Sequence, residues 1–119
     1  MTGKNYQDLI AWQKAMDLAA DVYRNTANMP REEIYGLTSQ MRRAAASIPA
    51  NVAEGQGRRT DGEFANQLSV AHGSVRELET HVMLAARLGF ISAEQAEHLL
   101  LSAGEVGRLI TGLANSLRR

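Results

Sequence analysis

Apolar residues in this chain recur at alternating intervals of three and four positions, which is the spacing that places side chains on one face of an α-helix. One such stripe comprises Phe64, Leu68, Ala71, Val75, Leu78, Val82 and Ala85. Another comprises Ala96, Leu99, Ala103, Val106, Ile110, Leu113 and Leu117. No segment alternates apolar and polar residues with period two, so the sequence predicts helices and no β-strand.

Four helices are predicted, in a single domain of residues 1–119. Their predicted ranges are 7–26, 33–55, 61–88 and 93–117. Thr60 and Ser92 each begin a capping box, and Gly89 is predicted to end the third helix in the left-handed conformation. Apolar stripes with this spacing, on helices joined by short loops, predict an all-α, antiparallel, up-down-up-down, left-handed four-helix bundle.

The first helix carries more apolar surface than one bundle core needs. Its predicted stripe is Leu9, Trp12, Met16, Ala19 and Tyr23, and Ala15, Leu18 and Val22 widen it. The apolar face then covers about half of the helix circumference, at 100° per residue. This surplus predicts a homo-oligomer.

Two helix-breaking residue types fall within predicted helices. Pro49 removes a backbone donor and crowds the carbonyl of Ala45, so a kink is predicted there. Gly104, Gly107 and Gly112 lie in the last helix. They reflect either loose sequence requirements or a close approach to a neighbouring helix, and the sequence does not choose between these two explanations.

Residues able to do chemistry are sparse. The chain has no cysteine, and none of His72, His81 and His98 has a Glu three positions before it, as a di-iron bundle requires. Glu77 and His81 lie one helical turn apart and are more simply a solvated pair. Phosphate-loop and serine-nucleophile motifs are also missing. The sequence therefore predicts no enzyme, no metal and no cofactor.

Polar side chains flank the core stripes of the second and third helices. On the second helix they are Gln40, Arg43, Ser47, Asn51 and Glu54. On the third they are Gln67, Ser74, Glu77 and His81. Both sets are displaced from the core in the same rotational sense, so neighbouring antiparallel helices would bring them to one side. We predict a structural polar network there, with Arg43 facing Glu77 in a partly buried pair, either between the two helices or across a subunit boundary. The predicted network comprises Gln40, Arg43, Ser47, Asn51, Glu54, Ser74 and Glu77.

Charge is balanced overall but not locally. The chain has 13 Lys and Arg against 13 Asp and Glu. Residues 37–60 carry four arginines and one acidic residue, whereas residues 61–91 carry two arginines and four acidic residues. Arginine suits phosphate, and equally a carboxylate of a neighbouring subunit.

Any nucleic-acid contact is predicted to involve five arginines. They are Arg42, Arg58, Arg59, Arg118 and Arg119. Arg42 is expected to point away from the apolar stripe, and Arg58 and Arg59 to lie in the loop after the second helix. Arg118 and Arg119 are expected at the bundle end that holds the loop after the first helix. Arg43 is assigned to structure instead.

Four segments carry a family resemblance. They are WQKA at 12–15, YGLTSQMRRA at 35–44, SIPANVAEG at 47–55 and GSVRELET at 73–80. They resemble the four-helix-bundle proteins encoded by intervening sequences in bacterial 23S ribosomal RNA genes, a family that includes accessory proteins of diversity-generating retroelements. The resemblance implies an antiparallel bundle that assembles as a ring-like homopentamer and carries no catalytic residues. The retroelement relatives bind nucleic acid and a reverse transcriptase through basic surfaces.

Two functions remain open at this point. One is an oligomeric protein that contacts structured RNA, or an RNA–protein complex, through arginines. The alternative is a protein–protein interaction scaffold without nucleic-acid affinity, which the zero net charge favours. No targeting segment or bilayer-length apolar run is apparent, so a cytoplasmic location away from membranes is expected.

Overall fold

Four helices packed together make up the fold. The computed structural model describes residues 5–118, and no strand occurs in this range. The helices are α1 (Ile10–Asn25), α2 (Leu37–Gln56), α3 (Asp61–Arg87) and α4 (Ala93–Ser116). The prediction of an all-α fold is therefore confirmed.

The first two helices begin later than the periodicity indicates, because a short 3-10 turn precedes each one. Tyr6–Asp8 forms the first turn, and extended backbone at Leu9 separates it from α1. Arg31–Glu33 forms the second turn. The Glu33 carboxylate then accepts a hydrogen bond from the Leu37 amide at 3.0 Å, which caps the N-terminus of α2.

The termini of α3 and α4 follow the predicted signals. Ser92 and Gln95 form a complete capping box at the start of α4. The Thr60 hydroxyl accepts from the Glu63 amide, but the Glu63 carboxylate accepts from the Arg59 amide instead of completing a box at Thr60. Gly89 has a φ of +77°. The Phe90 amide donates to Ala85 and the Gly89 amide to Ala86, so α3 ends in a Schellman motif.

The core face of α1 differs from the predicted stripe. The buried residues are Ala11, Ala15, Leu18 and Val22, whereas Met16 and Tyr23 are 45% and 48% exposed. The buried face is thus rotated by about one residue, or 100°, from the predicted one. A helix that is apolar around half of its circumference lets periodicity locate the helix but not choose which part faces the core.

Helix α2 continues through Pro49, which is buried. Around this residue, the Ser47 hydroxyl donates to the Ala44 carbonyl at 2.8 Å and the Asn51 amide group donates to the Ser47 carbonyl at 2.7 Å. Side chains thereby supplement the backbone bonds in the turn that proline weakens. The kink at Pro49 stays a prediction.

The closest helix–helix approach occurs at Gly55, near the end of α2. A Cβ at this position would lie 2.7 Å from Phe64 Cδ1 and 2.9 Å from Gln67 Cβ, so α3 could not keep its place. No such demand exists in α4, where a Cβ at Gly107 would find its nearest neighbours at 3.7 Å. The close approach considered for the α4 glycines is therefore found in α2 instead.

We expect Gly55→Ala to destabilise the protein by about 1–2 kcal/mol, because the cost of overpacking exceeds the gain in helix propensity. Gly73→Ala is the matched control, since Gly73 is an exposed α3 residue where an added Cβ would meet no atom within 4 Å. The control should stabilise by about 0.5–1 kcal/mol. Urea denaturation measures both values, and equal stabilisation by the two changes would contradict the close approach.

Candidate functional site

A polar cleft of about 530 Å³ lies between α2 and α3. Its lining includes six of the seven residues of the predicted network: Gln40, Arg43, Ser47, Asn51, Ser74 and Glu77. The two flanking stripes therefore meet on one side of the helix pair. The seventh residue, Glu54, lies one turn beyond Asn51. It is connected to Asn51 by Gln67 of α3, which contacts both side chains.

Gln67 links the two helices at the end of this cleft. Its Nε2 donates to Asn51 Oδ1 at 2.6 Å and approaches Glu54 Oε1 at 3.3 Å. Farther along, the Ser47 and Ser74 hydroxyl oxygens lie 2.7 Å apart within hydrogen-bond reach. These groups are partly buried, so their mutual satisfaction constrains how α2 and α3 align.

The predicted Arg43–Glu77 pair is not formed within the chain. Both side chains line the cleft, but both residues are exposed, and no hydrogen bond or ion pair joins them among residues 5–118. The expected pair between α2 and α3 is therefore not found within one chain, and a pair across a subunit boundary stays a prediction.

Arg42 has a structural position that sequence reasoning missed. Its Nε donates to Thr26 Oγ1 at 2.9 Å, and one terminal nitrogen donates to the Tyr23 carbonyl at 3.3 Å. Its guanidinium also lies 4.8 Å from the centre of the Tyr23 ring. Arg42 therefore points to a neighbouring helix and not to open solvent, because the flank of α2 that carries it faces the C-terminal end of α1.

The other candidate arginines within residues 5–118 are exposed. Arg58 donates to Gln67 Oε1 at 3.4 Å, and Arg59 has an exposed side chain in the same loop. Arg118 lines a cleft with Ala65 and Ser69 of α3. It therefore lies near the loop between α2 and α3, which corrects the expectation that it lies near the loop after α1. Arg119 falls outside the described residues.

A groove between α3 and α4 was not predicted. It consists of two clefts, of about 410 and 360 Å³, that share His72, Thr111 and Asn115. Arg76 and Arg108 line the first cleft and Arg118 the second. A sequence signal for it does exist, because no acidic residue occurs between Glu63 and Glu77 or after Glu105. These two stretches form one surface because α3 and α4 lie side by side.

The histidines occupy separate places. His98 Nε2 lies 3.1 Å from Asp21 Oδ2 and so connects α4 to α1. His72 lies in the groove, and His81 has a buried Nδ1 without a hydrogen-bond partner. Among residues 5–118, no three His, Asp or Glu side chains are grouped closely enough to bind a metal. In the same range, no helix combines the length and hydropathy that crossing a membrane requires.

Comparison with known proteins identifies the family. Residues 7–112 match the 23S rRNA-intervening sequence protein family. The chain belongs to this family. The match covers most of the sequence, and the resemblance inferred from the four segments is confirmed.

A solved structure shares the fold of this family member. It is a protein of unknown function from the S23 ribosomal protein family of Bacteroides thetaiotaomicron, with a TM-score of 0.80 and 23% sequence identity. The alignment covers 88% of the present chain and 98% of that protein. No curated protein matches the chain significantly. Neither the family nor this structural relative is described as enzymatic.

The two adjacent arginines of this 23S rRNA-intervening sequence family member should differ in their effect on stability. Arg42→Ala removes hydrogen bonds made by a charged group to the end of α1, so we expect a loss of about 1.5–3 kcal/mol. Arg43→Ala changes an exposed, unpaired side chain and should cost less than about 0.5 kcal/mol. Thermal or urea unfolding measures the difference, and equal losses would contradict the structural role of Arg42.

Proposed function

We propose that this chain is a non-enzymatic, cytoplasmic, oligomeric protein that contacts structured RNA through exposed arginines. The observation that carries the proposal is that Arg58, Arg59 and Arg118 are exposed near one end of the α2–α3 pair. Arginine is well suited to the phosphate backbone because its planar guanidinium donates two parallel hydrogen bonds. Membership of a family described by its place in 23S rRNA genes agrees with an RNA partner.

The four helices are proposed to run antiparallel in an up-down-up-down, left-handed bundle. Contacts between α2 and α3 support this arrangement. Gly55 approaches Phe64, Asn51 bonds to Gln67, and Ser47 meets Ser74. Residue numbers thus rise along one helix as they fall along the other.

Assembly is proposed to be a homopentamer, in keeping with the family resemblance. The exposed apolar side chains of α1 support self-association, because Ile10, Met16 and Tyr23 are 57%, 45% and 48% exposed. A ring would bury such surface and would also repeat each arginine cluster five times. Repetition raises the affinity for an extended polyanion without any new contact in a single chain.

Light scattering should give a mass near five times the 13.0 kDa chain at micromolar concentration. Met16→Glu should lower that mass by placing a charge in the apolar surface of α1, whereas Ala46→Glu on the exposed face of α2 serves as the matched control. A 13.0 kDa species for the unmodified protein would contradict assembly. A pentamer that Met16→Glu leaves intact would exclude α1 from the interface.

RNA binding should be salt-sensitive. Replacing Arg58 and Arg59 together by Ala should weaken binding to a hairpin RNA and make the plot of log affinity against log salt shallower by up to about two units. Fluorescence anisotropy over a salt series measures both effects. Circular dichroism and light scattering should show the fold and assembly unchanged, since both side chains are exposed.

The alternative function is a protein–protein scaffold without nucleic-acid affinity. Its support is the balance of 13 basic and 13 acidic residues, together with Glu54, Asp61 and Glu63 beside the arginine loop in sequence. These carboxylates offset Arg58 and Arg59 locally. An unmodified protein without salt-sensitive RNA binding at low ionic strength would establish the scaffold in place of the RNA-binding function.

A further inference from the structure

The groove between α3 and α4 is lined by three arginines and by no acidic side chain. The side chains of Arg108 and Arg118 are exposed and make no hydrogen bond or ion pair with another described residue. Arg76 pairs with Glu79 at 2.7 Å yet keeps 67% of its side chain exposed. The residues that line the two clefts include no acidic residue, and the nearest acid of α4 in sequence is Glu105, one turn before Arg108. This surface is therefore more basic than the loop that carries Arg58 and Arg59.

Glycine gives the groove its depth. The Arg108 guanidinium lies over Gly104, 3.4 Å from where a Cβ would be, and His72 Nε2 lies over Gly107 at 3.7 Å. Gly112 and Gly73 have no atom within 4 Å on their open sides. Side chains at these positions would fill the space in front of the arginines. Their absence leaves the guanidinium groups accessible to a ligand within the groove.

Helix electrostatics accounts for only part of this arrangement. An arginine at the C-terminal end of a helix is favourable beside the helix dipole, which explains Arg118 just beyond the end of α4 at Ser116. Arg108 lies eight residues before the end of α4 at Ser116, beyond the reach of that effect. Helix-dipole compensation therefore does not explain the pairing of Arg108 with Arg76 across the groove.

We propose that the α3–α4 groove binds the phosphodiester backbone of one RNA strand, with Arg108 and Arg118 as the principal phosphate contacts. This inference rests on the proposed RNA-binding function and names its main site. Arg76 adds a third positive charge, and Thr111 and Asn115 place hydrogen-bonding groups between the two ends. From Ala65 to Arg76 the groove is about 16 Å long at 1.5 Å per residue, which accommodates several consecutive phosphates.

The groove fits a nucleic-acid backbone better than an acidic peptide. A protein partner is usually held by apolar or aromatic anchors in closed pockets. Here the surface between the arginines consists of glycines, alanines, His72 and the polar side chains of Ser69, Thr111 and Asn115, while the apolar residues beneath it, Leu68 and Ile110, are fully buried. No Phe, Tyr or Trp lines either cleft and His72 is half-buried, so the contact is assigned to the backbone rather than to stacked bases.

The test uses the full chain and a fluorescent 20-nucleotide RNA hairpin. Arg108→Gln with Arg118→Gln should weaken binding at least about tenfold, since each lost hydrogen bond to a charged group contributes on the order of a factor of ten. The salt slope should fall by up to about two units. This loss should exceed that of the Arg58→Ala, Arg59→Ala double variant.

A variant that retains every charge separates the groove from general electrostatics. Gly112→Leu should also weaken binding, because its side chain occupies the open space in the groove. Ala50→Leu, at an exposed alanine of α2, is the control and should bind as the unmodified protein does. Circular dichroism and light scattering must show each variant folded and assembled, and a variant that fails this check is replaced by Thr111→Leu in the same groove.

The possible results separate the two proposals. If binding is lost in the loop variant but retained in the groove variants, the groove is not the RNA site, and the proposed RNA-binding function still stands. No salt-sensitive binding by the unmodified protein overturns both. Displacement of the hairpin by poly-glutamate as effectively as by unlabelled RNA would identify an acidic-protein site and overturn the phosphate assignment.

Discussion

The close approach of α2 to α3 at Gly55 is the constraint on which the rest of this helix pair depends. With Phe64 and Gln67 packed where a Cβ would be, the two helices can approach this closely only because residue 55 has no side chain. That separation brings Gln67 within 2.6 Å of Asn51, and farther along it brings the Ser47 and Ser74 hydroxyls to 2.7 Å. The hydrogen bonds then fix the alignment that the glycine allows, because a shifted helix would leave partly buried polar groups unpaired.

Two consecutive arginines show how helical geometry divides similar residues between different roles. A step of one residue turns the side chain by about 100°, so Arg42 reaches the end of α1 while Arg43 opens onto the α2–α3 cleft. Arg42 is held by Thr26 and by the face of Tyr23. A count of arginines in this stretch therefore overstates the positive charge that is free to meet a ligand.

Much of the fold, and part of the candidate site, could be predicted from the sequence, because helix periodicity and capping are local. The Ser92 capping box and the Gly89 terminus need only neighbouring residues to be recognised. The core face of α1 could not be chosen, since its apolar residues cover half of the helix. The role of Gly55 could not be predicted either, because it is a contact with α3 that no local pattern records.

The α2–α3 polar residues were identifiable because flanking stripes repeat with the helical period on each helix. The α3–α4 groove instead pairs residues more than thirty positions apart, and its basic character is apparent only when Arg76 and Arg108 line one cleft.

Net charge is a poor guide to binding in a molecule whose charges are separated. In α4 the acidic residues Glu94, Glu97 and Glu105 all precede Arg108, and Arg118 lies 13 positions after the last of them. That interval corresponds to about 20 Å of helix, whereas exposed charges are largely screened beyond roughly 8 Å at physiological ionic strength. A phosphate beside Arg118 would therefore experience the nearby arginines far more strongly than the distant carboxylates of α4. A neutral chain can present a local site for a polyanion in this way, and the proposed ring would multiply that site without changing the neutrality of the whole.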